Sequence, residues 1–171
     1  MNAGAGEIVI KEYSDEYKEE VIQLILDIQQ REFNIPIQRE DQPDLSDIPN
    51  FYQKGWGNFW IAFSDNQPVG TISLLDIGNG QGALRKMFVK AAYLGSRFNT
   101  GKLLLTRLVN WAAEKQISEI YLGTTVKFLA AHRFYEKNGF SEITTKDLPE
   151  AFPIMKVDTK FYKYTIKACS N

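Results

Sequence analysis

Between residues 59 and 123 the chain changes periodicity twice, and this restricts its fold more than any other feature. Phe59 to Phe63, Val69 to Ile77 and Ala83 to Val89 read as strands. Only Ser64-Asp65-Asn66-Gln67-Pro68 and Gly78-Asn79-Gly80-Gln81-Gly82 separate them, both rich in turn formers. Connections that short join antiparallel neighbours. From Thr100 to Lys115 the period becomes helical. Leu104, Leu105, Leu108, Val109, Trp111 and Ala112 form one stripe, with Arg107, Asn110 and Glu114 opposite. Glu119 to Gly123 then returns to strand. A strand-helix-strand unit following a meander demands a mixed sheet, mostly antiparallel, with helices on both faces.

The flanks extend this pattern. Ile8 to Tyr13 alternates as an opening strand, and Ser14 is placed to cap a helix carrying Val21, Leu24, Ile25 and Ile28 at helical spacing. Phe33 to Gly57 holds Pro36, Pro43 and Pro49, too many for one long helix. It predicts a loop with a short helix near Leu45 to Lys54, its Phe51, Tyr52 and Trp56 seeking burial. Residues 125–138 predict a helix capped by Thr124 or Thr125 and stopped by a left-handed Gly139. Phe140 to Thr144, a loop from Lys146 to Asp158, and a last strand from Lys160 to Lys167 complete the order β-α-(loop/α)-β-β-β-α-β-α-β-β. No internal repeat interrupts it.

Composition narrows the function classes. The 171 residues, 44% hydrophobic and 24% charged, suit one domain over 1–171. A net charge of −1 gives no basic field for nucleic acid. No apolar run approaches the roughly 20 residues of a membrane span, and the first residues lack the features of a signal peptide. Cys169 is the only cysteine, so no internal disulfide is expected, which fits a reducing cytoplasm. His132 is the only histidine, and with no Cys/His cluster no metal site is expected. Its position on the helix suggests a surface or supporting residue rather than a base.

Two motifs carry chemistry. Tyr93-Leu94-Gly95-Ser96-Arg97-Phe98-Asn99-Thr100-Gly101-Lys102 is a turn-rich loop feeding a helix, and a helix start of this kind is an anion site. Lys127-Phe128-Leu129-Ala130-Ala131-His132-Arg133-Phe134-Tyr135-Glu136-Lys137-Asn138-Gly139-Phe140 is a short helix with a tyrosine one turn before its stop. In this order the two resemble the GCN5-related N-acetyltransferases (GNAT), and the element order matches that family's fold over almost the whole chain. The fold class expected is therefore α/β (α+β), the acyl-CoA N-acyltransferase fold. The Gly95 to Lys102 stretch is only superficially like a Walker loop. Its glycines are one residue too far apart, and Leu103 stands where a magnesium-binding hydroxyl belongs.

The resemblance implies acetyl-CoA as cosubstrate. It assigns the pyrophosphate to Ser96 through Gly101, where Gly101 matches the family's last glycine. Ser96 replaces the usual Gln or Arg, and Asn99 replaces a glycine but tolerates left-handed backbone. Arg97, Phe98, Lys102 and the Thr100 hydroxyl lie beside them. Met87, Phe88 and Val89 inherit the strand that lends backbone groups to the pantetheine arm. Ala131, Tyr135, Gly139 and Phe140 match the second motif in register, and Phe128 stands where Asn is common. Phe128, Ala131 and Tyr135 are read as one helical face. Tyr135 inherits the role of proton donor to the leaving thiolate. Glu32 and Asp76 are the carboxylates considered for a water-relayed base. The expected acceptor is a small-molecule amine, approached through Phe33 to Trp56 and Lys146 to Asp158. The acids and aromatics there (Glu32, Asp41, Asp44, Phe51, Tyr52, Trp56, Phe152) suit a cationic amine as well as ordinary loop packing. Monomer and homodimer are both compatible. A catalytically silent acyl-CoA-binding or interaction domain of the same fold is the alternative.

Overall fold

The computed structural model describes residues 7–95, 97–126 and 128–167. Expectations for Ser96, Lys127, Cys169 and the first six residues lie outside the described residues. The strands are β1 (Ile8–Glu12), β2 (Asn58–Ser64), β3 (Gln67–Gly78), β4 (Gln81–Val89), β5 (Glu119–Thr124), β6 (Ser141–Ile143) and β7 (Lys160–Thr165). The helices are α1 (Lys18–Asp27), α2 (Ile48–Phe51), α3 (Thr100–Glu114) and α4 (Leu129–Lys137). The strands form one seven-stranded sheet in the order β1-β2-β3-β4-β5-β7-β6. Every neighbouring pair is antiparallel except β4 with β5. The mixed, mostly antiparallel sheet with helices on both faces is as the periodicity predicts.

β2 shows why both faces are covered. All seven of its residues are buried. Phe59, Ile61 and Phe63 join Val21, Ile22 and Ile25 of α1 and Ile48 of α2 on one face. Trp60 and Ala62 join Leu104, Leu105, Leu108 and Ala112 of α3 on the other. Period-2 alternation sends successive side chains to opposite sides, so a strand buried on both must be apolar at nearly every position.

Local differences from the sequence reading have local causes. Ser14 makes no cap bond to backbone; its hydroxyl turns to Glu16 at 3.2 Å, and a 3-10 turn at Asp15–Tyr17 precedes α1. α1 continues as a π-turn over Ile28–Glu32. The proline-rich segment forms 3-10 turns at Arg39–Asp41 and Pro43–Asp47 before α2, whose N-terminus is capped by Asp47. Of its aromatics, Tyr52 is fully buried, while Phe51 is partly exposed. Trp56 is exposed too, and its carbonyl accepts from the Trp111 indole at 2.8 Å near the C-terminal end of α3. Neither Thr124 nor Thr125 caps α4, which starts at Leu129 with Phe128 as its N-cap residue. The Thr125 carbonyl instead accepts from the Phe128 N–H at 3.2 Å and from His132 Nε2 at 2.8 Å. His132 is therefore a buried residue that closes the turn before α4, not a surface one. Gly139 has the expected left-handed φ of 95°.

Leu108 is fully buried at the centre of the α3 face. Leu108→Ala should lose about 2–5 kcal/mol in urea denaturation with an unchanged m-value. A loss below about 1 kcal/mol would show that α3 does not pack as described.

Candidate active site

β4 and β5 pair only over Gln81↔Glu119, Gly82↔Ile120 and Ala83↔Tyr121. Beyond Ala83 they part. The backbone of β4 from Leu84 onward has no strand partner on that side, while β3 continues to pair with it on the other. The result is a slot at the carboxyl ends of the two strands, with α3 starting and α4 following there.

A bulge in β4 shapes the slot. Thr71 pairs with Phe88 and Ser73 with Arg85, so β4 carries one residue more than β3 across this step. Lys86 takes a φ of 52°, unusual for a non-glycine residue. The Thr71 hydroxyl donates to the Lys86 carbonyl and the Ser73 hydroxyl to the Arg85 carbonyl, both at 2.7 Å, which holds the irregular backbone. The extra residue puts two consecutive side chains, Arg85 and Lys86, on the α1/α2 face. Met87 then turns to the α3/α4 face, and Phe88 packs back against the α1 cluster.

On the α3/α4 face, Asn99 adopts φ 56° and ψ 30°, the left-handed turn the sequence allowed, and its side chain makes no cap bond. The first bond of α3 runs from Leu103 N–H to Asn99 C=O at 3.0 Å. The N–H groups of Thr100, Gly101 and Lys102 thus precede the helical ladder. The Thr100 hydroxyl is buried and has no hydrogen-bond partner among the described residues. Among the described residues, the open amides of Gly101 and Lys102, a positive helix end and the Thr100 hydroxyl form a donor set that fits a diphosphate. Arg97 is exposed, its guanidinium 5.1 Å from the Phe98 ring centroid, and Phe98 packs on Tyr93 at 5.0 Å. Lys102 does not face this donor set, because its ammonium bonds Asn138 Oδ1 at 2.6 Å. Gly101 matters for packing: a Cβ there would stand 3.3 Å from Phe134 and 3.6 Å from Met87.

Tyr135 is buried among Phe134, Phe140 and Tyr162. Its hydroxyl reaches Met87 Sδ at 3.7 Å, beside the unpaired part of β4. A thioether is a weak acceptor, so the phenol retains its capacity to donate elsewhere. Burial pushes its pKa far above the usual phenol value, and it stays protonated at any working pH. Ala131 lies on α4 with Tyr135. Phe128 belongs to the preceding turn rather than to a shared helical face, and its ring meets Phe33 at 4.7 Å. That contact links the end of the α1 π-turn to the start of α4.

On the α1/α2 face lies a polar group the sequence reading did not find. Gln29 and Gln42 exchange amide hydrogen bonds of 2.9 Å in both directions. Lys86 donates to Gln42 Oε1 at 2.7 Å and lies 3.5 Å from Asp44 Oδ2, which also accepts from the Tyr52 hydroxyl at 2.5 Å. Burial lowers the Lys86 pKa and the Asp44 charge opposes that shift. The acids of this region therefore do not form a rim for a cation. Asp44 is engaged with Tyr52 and Lys86, Asp41 accepts from Gln38 N–H at 2.9 Å, and Glu32 is exposed. Asp76 is not placed as a base. Its two oxygens accept from Trp56 N–H and Gly78 N–H, each at 2.9 Å, toward the β3–β4 turn.

Arg85 lies beside Phe51 and Tyr52, 5.6 and 5.8 Å from their ring centroids, with Nη2 3.6 Å from Met155 Sδ. Across the slot, Asp158 lies over Gly123 of β5, where a Cβ would come within 2.5 Å of its Oδ2. That oxygen accepts from Met155 N–H at 2.8 Å. Burial raises the Asp158 pKa, opposed by the Met155 bond and by the Arg85 charge. The adjacent charges of Arg85 and Lys86 inside an apolar strand were the readable sign of the bulge. Nothing around Asp158 in sequence marks it.

The candidate site is thus a partly opened sheet with an uncapped helix start on one face and charged and aromatic groups on the other. A sequence model of the Acetyltransferase (GNAT) family matches residues 22–140, and the chain belongs to that family. It is similar to N-acetylaspartate synthetase of Xenopus tropicalis, 35% identical over 104 residues, which are 58% of this chain and 37% of that protein. N-acetyltransferase 8F1 of Rattus norvegicus is 25% identical over 126 residues, 71% of this chain and 56% of that one. The chain thus spans only part of the length of the curated relatives it matches. An acetyltransferase of the GNAT family from Staphylococcus aureus Mu50 superposes with a TM-score of 0.88 at 46% identity, covering 94% of this chain and 99% of that one. PaiA N-acetyltransferase from Thermoplasma acidophilum, solved with coenzyme A, shares the fold at a TM-score of 0.72 and 21% identity, covering 93% and 99%. Among the described residues no helix is long and apolar enough to cross a membrane.

Lys86→Met leaves Asp44 buried without its cation and should cost about 3–5 kcal/mol in chemical denaturation. Replacing both, Lys86→Met with Asp44→Leu, should recover much of that loss. A single variant as stable as the parent would show that the pair is not buried as described.

Proposed function

We propose that the protein transfers an acetyl group from acetyl-CoA directly to the amine of a small molecule. The observation that supports this reading is the slot: Met87, on the part of β4 that β5 does not pair, lies beside both Gly101 at the start of α3 and the Tyr135 hydroxyl. When bound, acetyl-CoA would supply the activated acyl group as a thioester. Thr100 and Gly101, with the backbone N–H of Lys102 and the exposed Arg97, would hold its diphosphate, whereas the Asn99 N–H is taken by the Gly95 carbonyl at 3.0 Å and only shapes the turn. The β4 edge at Met87, Phe88 and Val89 would offer backbone groups to the pantetheine arm, with Ala131 leaving room beside it and Phe128 closing over it. Tyr135 holds a proton on its hydroxyl, available to a leaving thiolate. Cys169 is the only cysteine in the sequence and no motif includes it, so direct transfer is preferred to a covalent acetyl-enzyme. We place the protein in the cytoplasm, as a monomer or homodimer.

The attacking amine must be neutral, and Asp158 is the carboxylate best placed to take its proton. It faces the slot opposite Arg85, and its raised pKa brings it closer to working pH than an ordinary carboxylate. An amino acid falls within this class of amines, and the name of the similar Xenopus protein, N-acetylaspartate synthetase, is that of an N-acetylated one.

Calorimetric titration with acetyl-CoA and with free CoA should show binding at micromolar or tighter affinity. No binding of either would point to a domain that kept the fold without the ligand, and binding without thiol release on any amine would point to a silent one. Tyr135→Phe should lower kcat by at least about tenfold and leave acetyl-CoA affinity near normal; equal turnover would remove its role as donor. Protonation of Asp158 stops it accepting a proton, so kcat/KM should fall as pH drops through a value above the ordinary carboxylate range. In Asp158→Asn, kcat should drop by about 10²–10⁴-fold and that acidic limb should vanish. An unchanged limb would assign the base elsewhere.

A further inference from the structure

Arg85 is the cationic group on the α1/α2 face of the slot that no acid neutralises. Lys86, beside it, is engaged with Asp44 and Gln42. Among the described residues, no carboxylate lies within ion-pair distance of Arg85, although Asp158 feels its charge from across the slot. The guanidinium is nonetheless held among close neighbours. Phe51 and Tyr52 flank it, Met155 touches one terminal nitrogen, and Ser73 fixes its backbone carbonyl. Aromatic and thioether contacts leave most of its N–H donors without strong acceptors. Phe51 and Met155 are exposed and Arg85 is only half-buried, so the guanidinium is reachable from solvent beside the slot. A planar cation held with its donor edge free matches a carboxylate bidentately.

Resting on the acetyltransferase reading above, we infer that the acceptor is an amino-carboxylate, whose carboxylate is held by Arg85 while its amino group faces Asp158. The two residues stand on opposite sides of the slot with charges complementary to the two ends of a free amino acid. They do not pair with each other, which leaves both ends available. Arg85 sets specificity and orientation. It takes no part in proton transfer, so its loss shows in KM for the acceptor more than in kcat.

The test is thiol release from acetyl-CoA with a panel of free amino acids, the matching amino acid amides and a set of polyamines. Free amino acids should be acetylated and their amides should not. With the best amino acid, Arg85→Gln should raise KM on the order of a hundredfold with a smaller change in kcat, and Arg85→Lys should recover part of it. Calorimetric acetyl-CoA binding by Arg85→Gln should match the parent, which also shows that the variant folds. Equal use of acids and amides, an unchanged acceptor KM in Arg85→Gln, or acetylation confined to polyamines would overturn the anchor and leave the transferase reading standing. No thiol release with any amine would overturn both.

Discussion

The site depends on where a strand pair stops. Among the described residues β4 and β5 are the one parallel pair, and their ladder ends at Ala83 and Tyr121. A parallel pair needs a long crossover, and here α3 supplies it. The sheet would be continuous if β4 stayed regular. The extra residue at Lys86 twists the strand away, and hydroxyls from Thr71 and Ser73 satisfy the carbonyls that the irregularity displaces. A backbone edge left open in the middle of a sheet is costly unless something binds it. Here that open edge is the feature around which the other functional groups gather.

Charge on the two sides of β4 is arranged for different purposes. On the α3/α4 side there are few side-chain charges, and the positive character comes from backbone at the start of α3. On the α1/α2 side the charges are side chains, most of them matched internally. Asp44, Lys86, Tyr52, Gln42 and Gln29 form a closed group that fixes the proline-rich segment to β4. Such a group adds little net stability compared with apolar packing, but any one member left alone is expensive. It fixes where Phe51 and Tyr52 lie, and hence where Arg85 points.

The fold was largely legible because its signal is long-range and periodic. The alternation of β2 to β4, the stripe of α3 and the turn at Gly139 each follow from side-chain period or backbone freedom. The sequence starts the helix that carries Tyr135 four residues early, because Thr124 and Thr125 look like caps while the turn is closed instead by His132 on the Thr125 carbonyl. Tyr135 and Thr100 to Lys102 were visible as motifs. Arg85 and Asp158 were not, since each matters through a partner distant in sequence: Arg85 through Phe51 and Met155, Asp158 through Gly123. Composition groups Trp56 with the slot and the family resemblance suggests Asp76 as a base, but the chain carries them toward the end of α3 and the β3–β4 turn.

The slot's two sides come from different parts of the chain. Groups facing α1 and α2 are drawn mainly from residues before 56 and from the loop ahead of β7, whereas those facing α3 and α4 lie between 97 and 140. Only β4 serves both, and its bulge assigns Arg85 and Lys86 to one side and Met87 to the other. Selection can therefore re-line one side while the other stays fixed, so that new acceptors are reached without rebuilding the part of the protein that faces the open start of α3.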